Sequence, residues 1–204
     1  MSTEQVKVRS KTRDRILQAA MKLFAEKGFR GTTTKEIAER AGVNEALIFR
    51  YFSTKGDLYG AIIERKIEEE PGFVEFPLKA LKRTKNDWQI IKSIAIKLFD
   101  SVEKDPTFIR LLHFSALEGH DLSDMFFESY VQRQRMLLSD YIEERISEGA
   151  FKNVNPFLAA RALIGMFINY IIVQELFGEK KRKKFKKQDV VETFVEIFLA
   201  GIKN

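Results

Sequence analysis

The stretch that decides the fold is AGVNEALIFRYFSTKGDL, residues 41–58. It opens on a turn, Ala41-Gly42-Val43-Asn44. Asn44 is a good N-cap, so a helix is expected over 45–52. Three bulky apolar residues, Ile48, Phe49 and Phe52, are expected to anchor that helix on its neighbours. Ala46, Leu47, Arg50 and Tyr51 would then form an outward face. A DNA major groove is wide enough to admit such a helix. A three-helix packing unit with a glycine turn would use the same anchors, so the surroundings must choose.

Upstream, Ile16, Ala20, Leu23 and Phe24 recur at i, i+4, i+7 and i+8. That spacing predicts a helix over 12–27 with one apolar face. Gly28 and Phe29 supply its C-terminal stop. Thr33-x-x-Glu36 is a capping box that starts a second helix, running to about Ala41 with Ile37, Ala38 and Ala41 inward. Ser53 or Thr54 caps a fourth helix, from near Lys55 to about Glu70. The second and third helices make a helix-turn-helix over 33–52.

Charge favours a polyanion as partner. Residues 1–55 hold 12 Lys/Arg against 6 Asp/Glu, while the other 149 hold 23 of each, so all of the net +6 lies in the first quarter. A clustered positive field of this kind is an electrostatic footprint for nucleic acid. A merely solubilising basic terminus would look the same by charge alone.

At this point the residues carry a resemblance. Thr32-Thr33-Thr34-x-x-Ile37-Ala38-x-x-Ala41-Gly42-Val43, then Ile48-Phe49-x-Tyr51-Phe52 and Lys55-x-x-Leu58, resemble the TetR/AcrR family of bacterial transcriptional regulators. Ile16-Leu17-x-Ala19-Ala20-x-x-Leu23-Phe24 and Lys27-Gly28-Phe29 extend the match over about residues 10–70. Asn44 and Ala46 depart from the small hydroxyl and glycine residues common in the family. The resemblance implies that Thr33, Thr34 and Lys35 meet phosphates at the start of the second helix, helped by its dipole. It implies that Tyr51 and Lys55 are further phosphate anchors. Asn44, Glu45, Ala46, Leu47 and Arg50 would line the base-reading surface, Arg50 donating to guanine O6 and N7 and Leu47 offering methyls to thymine.

Pro71, Gly72 and Pro77 break the helical pattern. Beyond them helices are expected at about 87–104, 106–118, 122–148, 156–177 and 187–202. Proline opens the second and fourth of these, where its missing N–H is harmless. The fold expected is all-α, with an N-terminal helix-turn-helix domain at 10–70 and a larger helical effector-binding and dimerisation domain at 71–204.

Fourteen of 18 phenylalanines lie beyond residue 70, so that domain must cover much aromatic surface. The helices 156–177 and 187–202 carry apolar arcs wider than a single core stripe, with Phe194 and Phe198 among them. A homodimer through these two helices is expected, and the resemblance implies a four-helix bundle. Along 122–148 one stripe runs Phe127, Val131, Leu138, Ile142 and Ile146, interrupted by Gln134. A second runs Phe126, Tyr130, Leu137 and Tyr141, interrupted by Arg133. Polar groups set among aromatics are what an effector pocket needs. His113, Phe114, Glu118, Phe127, Tyr130, Gln134, Met166, Asn169, Tyr170 and Gln174 are the candidates, for an unidentified hydrophobic or amphipathic small molecule.

The chain has no cysteine, which excludes disulfides, thiolate zinc sites and a cysteine nucleophile. His113 and His120 lack the spacing of a metal site. No cofactor, metal or catalytic residue is expected. The first fifteen residues are polar and basic, so no signal peptide is expected. The apolar run 163–177 looks too short for a bilayer and carries Asn169, Gln174 and Glu175, so no membrane partner and a bacterial cytoplasmic location are expected. The basic run Lys180–Lys187 is read as a solvated loop. The function expected is a sequence-specific DNA-binding regulator, a repressor released from a near-palindromic operator by its effector. Control by a protein partner or action as an activator is the alternative. An enzyme acting on an apolar substrate in the helical domain is the remote one, since the glycine-rich phosphate loop and clustered histidines are missing.

Overall fold

A computed structural model describes residues 3–69, 72–104, 106–119, 121–183 and 185–204, with side chains from residue 10 onward except 104 and 121–123. The break expected at Pro71, Asp105 beside Pro106, His120 and Lys184 of the basic run lie outside the described residues.

The described residues are helical: α1 (Thr3–Lys27), α2 (Thr34–Ala41), α3 (Glu45–Tyr51), α4 (Lys55–Glu69), α5 (Glu75–Leu81), α6 (Asp87–Lys104), α7 (Pro106–Leu117), α8 (Asp121–Phe126), α9 (Gln132–Ser147), α10 (Pro156–Glu175) and α11 (Lys187–Ile202). One isolated bridge, Phe151 to Lys203, is the extended pairing among them. The chain divides into two compact units. One takes the described residues up to Glu69 together with Thr107–Phe126, and the other takes Gly72 to Pro106 and Phe127–Asn204.

The first unit is built as its spacing dictates. Ile16, Ala20, Leu23 and Phe24 of α1 are all buried. They meet Ile37, Ala38 and Ala41 of α2, Ile48 and Phe52, and Leu58, Tyr59, Ile62 and Ile63 of α4. Leu111 of α7 completes this core, and Tyr59 donates its hydroxyl hydrogen to Leu111 O at 3.3 Å. Phe24, Phe29 and Tyr59 stack with ring centroids 5.2 to 5.7 Å apart. α1 begins nine residues before the expected start, because nothing between Thr3 and Thr12 breaks a helix.

In the second unit Ile90, Ile91, Ile94, Leu98 and Phe99 of α6 form the central apolar strip. Asp87, at the start of α6, is buried yet fully paired. Tyr141 donates to its Oδ1 at 2.5 Å, and Arg145 grips both oxygens at 2.8 and 3.1 Å. A buried carboxylate needs such partners. Phe99, Phe167, Tyr170 and Phe194 form an aromatic cluster.

Four expectations need correction. Pro77 does not break the chain as its type predicts, since Glu75–Leu81 forms α5. Pro77 is its third residue, where the backbone N–H has no intrahelical acceptor to lose. The helix expected at 122–148 is α8, a five-residue π-helical segment Phe127–Val131, and α9. The wider turn shifts the phase, so the buried face of α9 is Gln134, Leu138, Tyr141 and Ile142, and Phe127 is exposed. Phe198 is buried and Phe194 half-buried in the aromatic cluster, so both serve their own chain's core. The large outward apolar residues of the last two helices are Phe157, Leu158 and Ile197, the latter two 59% and 58% exposed. Finally, most of the apolar run 163–177 belongs to the longer helix α10, which begins at Pro156 as expected. Its 20 residues and mean hydropathy of 1.7 do meet the length and composition of a membrane span, with 28% of the apolar window buried. The expectation of a too-short run counted only from Leu163.

Candidate nucleic-acid interface

The helix-turn-helix is held by hydrogen bonds that its sequence specifies. Thr33 is the N-cap of α2. Its Oγ1 accepts from Glu36 N at 3.2 Å, and its own N–H donates to Glu36 Oε2 at 2.9 Å. Lys27 adds an ion pair to Glu36 at 2.5 Å, and these partners hold the Glu36 carboxyl down at about 2. The turn needs Gly42 because φ there is +62°, a left-handed conformation that side chains resist. Arg15 of α1 reaches across and donates to the carbonyls of Ala41 and Gly42. Asn44 caps α3, its Oδ1 accepting from Ala46 N at 2.8 Å. Thr34 donates to Glu45 Oε1 at 2.5 Å, which ties the start of α2 to the start of α3. Thr54 and Asp57 cap α4 reciprocally, at 2.9 and 3.0 Å.

α3 is seated by Ile48 and Phe52, 1% and 5% exposed. Phe49 is not an anchor: it is 50% exposed. The reason is angular. Ile48 and Phe52 are one turn apart and define the buried side of a seven-residue helix. Phe49 falls with Ala46 and Arg50, at i+3 and i+4 from Ala46, on the exposed side. A helical projection centred on Ile48 and Phe52 would have found this, and its apolar character concealed it.

The other sequence candidates divide. Thr33, Lys35, Asn44, Ala46 and Arg50 are exposed. Thr34, Glu45 and Leu47 are half-buried. Tyr51 is half-buried against the core, its ring 6.3 Å from that of Phe52. Lys55 is drawn inward. Its Nζ donates to Phe29 O and Thr32 O, both at 2.8 Å, and stands 4.4 Å from the Phe29 ring centroid. Burial lowers its pKa, and the Glu118 carboxylate partly offsets this.

The effector candidates are spread over both units. His113, Phe114 and Glu118 belong to the first. His113 Nδ1 donates to Ile109 O at 2.7 Å, Phe114 is exposed, and Glu118 receives amides from the α1–α2 turn. In the second unit Gln134 is buried and caps α5, its Oε1 accepting from Val74 N at 2.9 Å and Glu75 N at 3.3 Å. Gln174 donates to Glu179 at 3.1 Å, and Asn169 is exposed. Phe127 lies under the Arg135 guanidinium at 4.7 Å. Tyr130 packs on Phe73 at 6.3 Å, Tyr170 joins the aromatic cluster, and Met166 is half-buried.

These features agree with known proteins along the chain. Residues 16–62 match the family model for bacterial regulatory proteins of the tetR family. Residues 104–201 match the C-terminal domain of AefR-like transcriptional repressors. The chain is 29% identical over 192 residues to the HTH-type transcriptional regulator YvkB of Bacillus subtilis, covering 94% of this chain and 97% of that one. Its fold is similar to that of PfmR, a TetR family regulator of Thermus thermophilus, with a TM-score of 0.71 at 20% identity over 91% and 97% of the two chains. It is also similar to AibR crystallised with isovaleryl coenzyme A and operator DNA, with a TM-score of 0.70 at 17% identity over 91% and 97%. With both family models matched in order around a capped helix-turn-helix, the chain belongs to the TetR family and is a DNA-binding transcriptional regulator.

Proposed function

We propose that this regulator is a cytoplasmic repressor that binds a near-palindromic operator as a homodimer and leaves it when a hydrophobic or amphipathic small molecule binds. The observation that carries the reading is α3. Ile48 and Phe52 hold it down, and Ala46, Phe49 and Arg50 face outward, in the quarter of the chain that holds all the excess positive charge. Thr33, Thr34, Lys35 and Tyr51 meet phosphates and set the register, and Lys55 joins them on turning its Nζ away from the Phe29 and Thr32 carbonyls. Asn44, Glu45, Ala46, Leu47, Arg50 and Phe49 face the bases.

Dimerisation is supported by α10 and α11. An apolar helix with only 28% of its window buried in its own chain needs further cover, and Leu158 and Ile197 stand exposed on this pair. An isologous dimer would set two reading helices about 34 Å apart or a multiple of that. The effector is supported by the family and by the AibR complex with an acyl coenzyme A. In this chain Tyr130, Met166 and Tyr170 are the half-buried residues of the second unit that an apolar ligand would engage. Coupling between effector and DNA is typically ~1–3 kcal/mol.

The experiment is selection of duplexes from a random pool by the wild-type protein, followed by titration of Arg50→Ala on the selected and a shuffled duplex. Arg50→Ala is expected to lose about 1–3 kcal/mol on the selected duplex and much less on the shuffled one. Equal loss on both would make Arg50 a phosphate contact and overturn this reading face. A panel of acyl coenzyme A thioesters and apolar compounds, read by thermal shift and duplex release, tests the effector. A dose-dependent release supports it, and release by none argues for control by a protein partner.

A further inference from the structure

The turn between α1 and α2 is gripped by two charged side chains, and one of them comes from far along the chain. Glu118 directly follows α7. Its Oε2 accepts from Phe29 N at 2.9 Å and its Oε1 from Arg30 N at 3.2 Å. Arg30 Nη2 returns a weaker bond to Glu118 O at 3.4 Å. The carboxylate sits so close that a Cβ on Gly28 would stand 2.5 Å from Oε1, at a residue whose φ of +75° already requires glycine. Lys55 of α4 holds the carbonyls of Phe29 and Thr32 in the same turn. The amides are thus held by a carboxylate and the carbonyls by an ammonium, both charge-assisted. The next residue, Thr33, is the N-cap that fixes where α2 begins.

We infer that Glu118 is a positioning residue for DNA reading: it orders the α1–α2 turn and thereby sets the placement of α2 and α3. This rests on the reading of α2–α3 as the DNA-reading helices. Glu118 touches no base and no phosphate in this role. Its effect reaches DNA only through the backbone of the turn. Contacts that depend on helix placement are those to base edges, whereas counterion release depends mainly on how many cations lie near the phosphates.

The test uses the full-length protein as wild type, Glu118→Ala and Glu118→Gln. Hydrogen exchange at the Phe29 and Arg30 amides is measured without DNA. Affinity is measured for a duplex selected by the wild type from a random pool, and for its shuffled counterpart at the same salt. In Glu118→Ala both amides should exchange faster, and affinity for the selected duplex should fall about tenfold, the worth of a hydrogen bond to a charged group. Affinity for the shuffled duplex should change less than about twofold. Glu118→Gln should be intermediate, because a neutral amide oxygen accepts more weakly than a carboxylate and its NH2 group cannot accept at all. Unchanged exchange in Glu118→Ala would overturn the proposal, since the turn would not depend on the carboxylate. Faster exchange with undiminished selectivity would also overturn it, as would a parallel loss on both duplexes. A wild type that prefers no duplex would bring down the reading of α2–α3, whereas the exchange result stands apart from that reading.

Discussion

Replacing Ile197 with aspartate tests the dimer at its most exposed apolar point on α11. Fully burying an isoleucine side chain is worth about 1.5–3 kcal/mol. Ile197 is 58% exposed, so the share left for a partner to cover is about 0.9–1.7 kcal/mol per protomer. Two-fold symmetry counts it twice, giving about 2–3.5 kcal/mol per dimer. At 1.4 kcal/mol per decade the dimer Kd should rise roughly 25- to 300-fold. Aspartate also places a carboxylate in an apolar seam, so this is a lower bound. The assay is sedimentation equilibrium over a dilution series, with Leu117→Asp, on an exposed residue of α7, as the control. A wild type that stays monomeric at micromolar concentration, or an Ile197→Asp protein that associates within about threefold of wild type, would refute the reasoning. Phe194→Glu and Phe198→Glu would not serve, because those rings pack in the protein's own core and their loss would report folding.

Phe49→Ala should weaken binding to the selected duplex, and replacing thymine by uracil under the wild-type reading head should weaken it at the same positions. In Phe49→Ala the uracil effect should vanish, and if it persists in full the ring does not contact the methyl groups. Gln134→Ala leaves the buried Val74 N–H without its acceptor and should cost about 1–3 kcal/mol of stability in urea unfolding. An unchanged midpoint would release Gln134 for a ligand role. Lys55→Ala should lower the magnitude of the salt slope by roughly one per site if the cation turns to a phosphate. An unchanged slope with a lower melting temperature would leave Lys55 as a clamp on the turn. Glu36 has its pKa depressed to about 2 from an ordinary 4.5, so its capping contribution is present above 4.5 and is lost as pH falls from there toward 2. Acid unfolding of Glu36→Gln should therefore be less steep over that window, and identical acid titrations would contradict the capping role.

The local chemistry of the reading head was legible in the sequence. Thr33 with Glu36, Gly42, and Asn44 before α3 are cap and turn devices whose partners lie within four residues, so their spacing alone determines them. The same holds for Ile16, Ala20, Leu23 and Phe24, which one helical period places on one face. Charge asymmetry pointed to a polyanion without any geometry. What spacing could not determine was which of several apolar faces another element would cover. Phe49 and Phe52 look alike in sequence, yet one is half-exposed and the other buried, because the core offers only one side of α3 a surface to rest on. Phe194 looked fit for an interface until the rings of Phe167 and Tyr170 met it from a distant helix. The π-helical segment moved Phe127 off the stripe that a uniform 3.6-residue period predicts. Gln134 and Glu118 read as ligand groups because a polar side chain beside apolar ones needs a partner. Their partners are backbone amides 60 and 89 residues away, Val74 N and Phe29 N. Caps and periods act within one helical turn, and tertiary packing alone decides pairings across such distances.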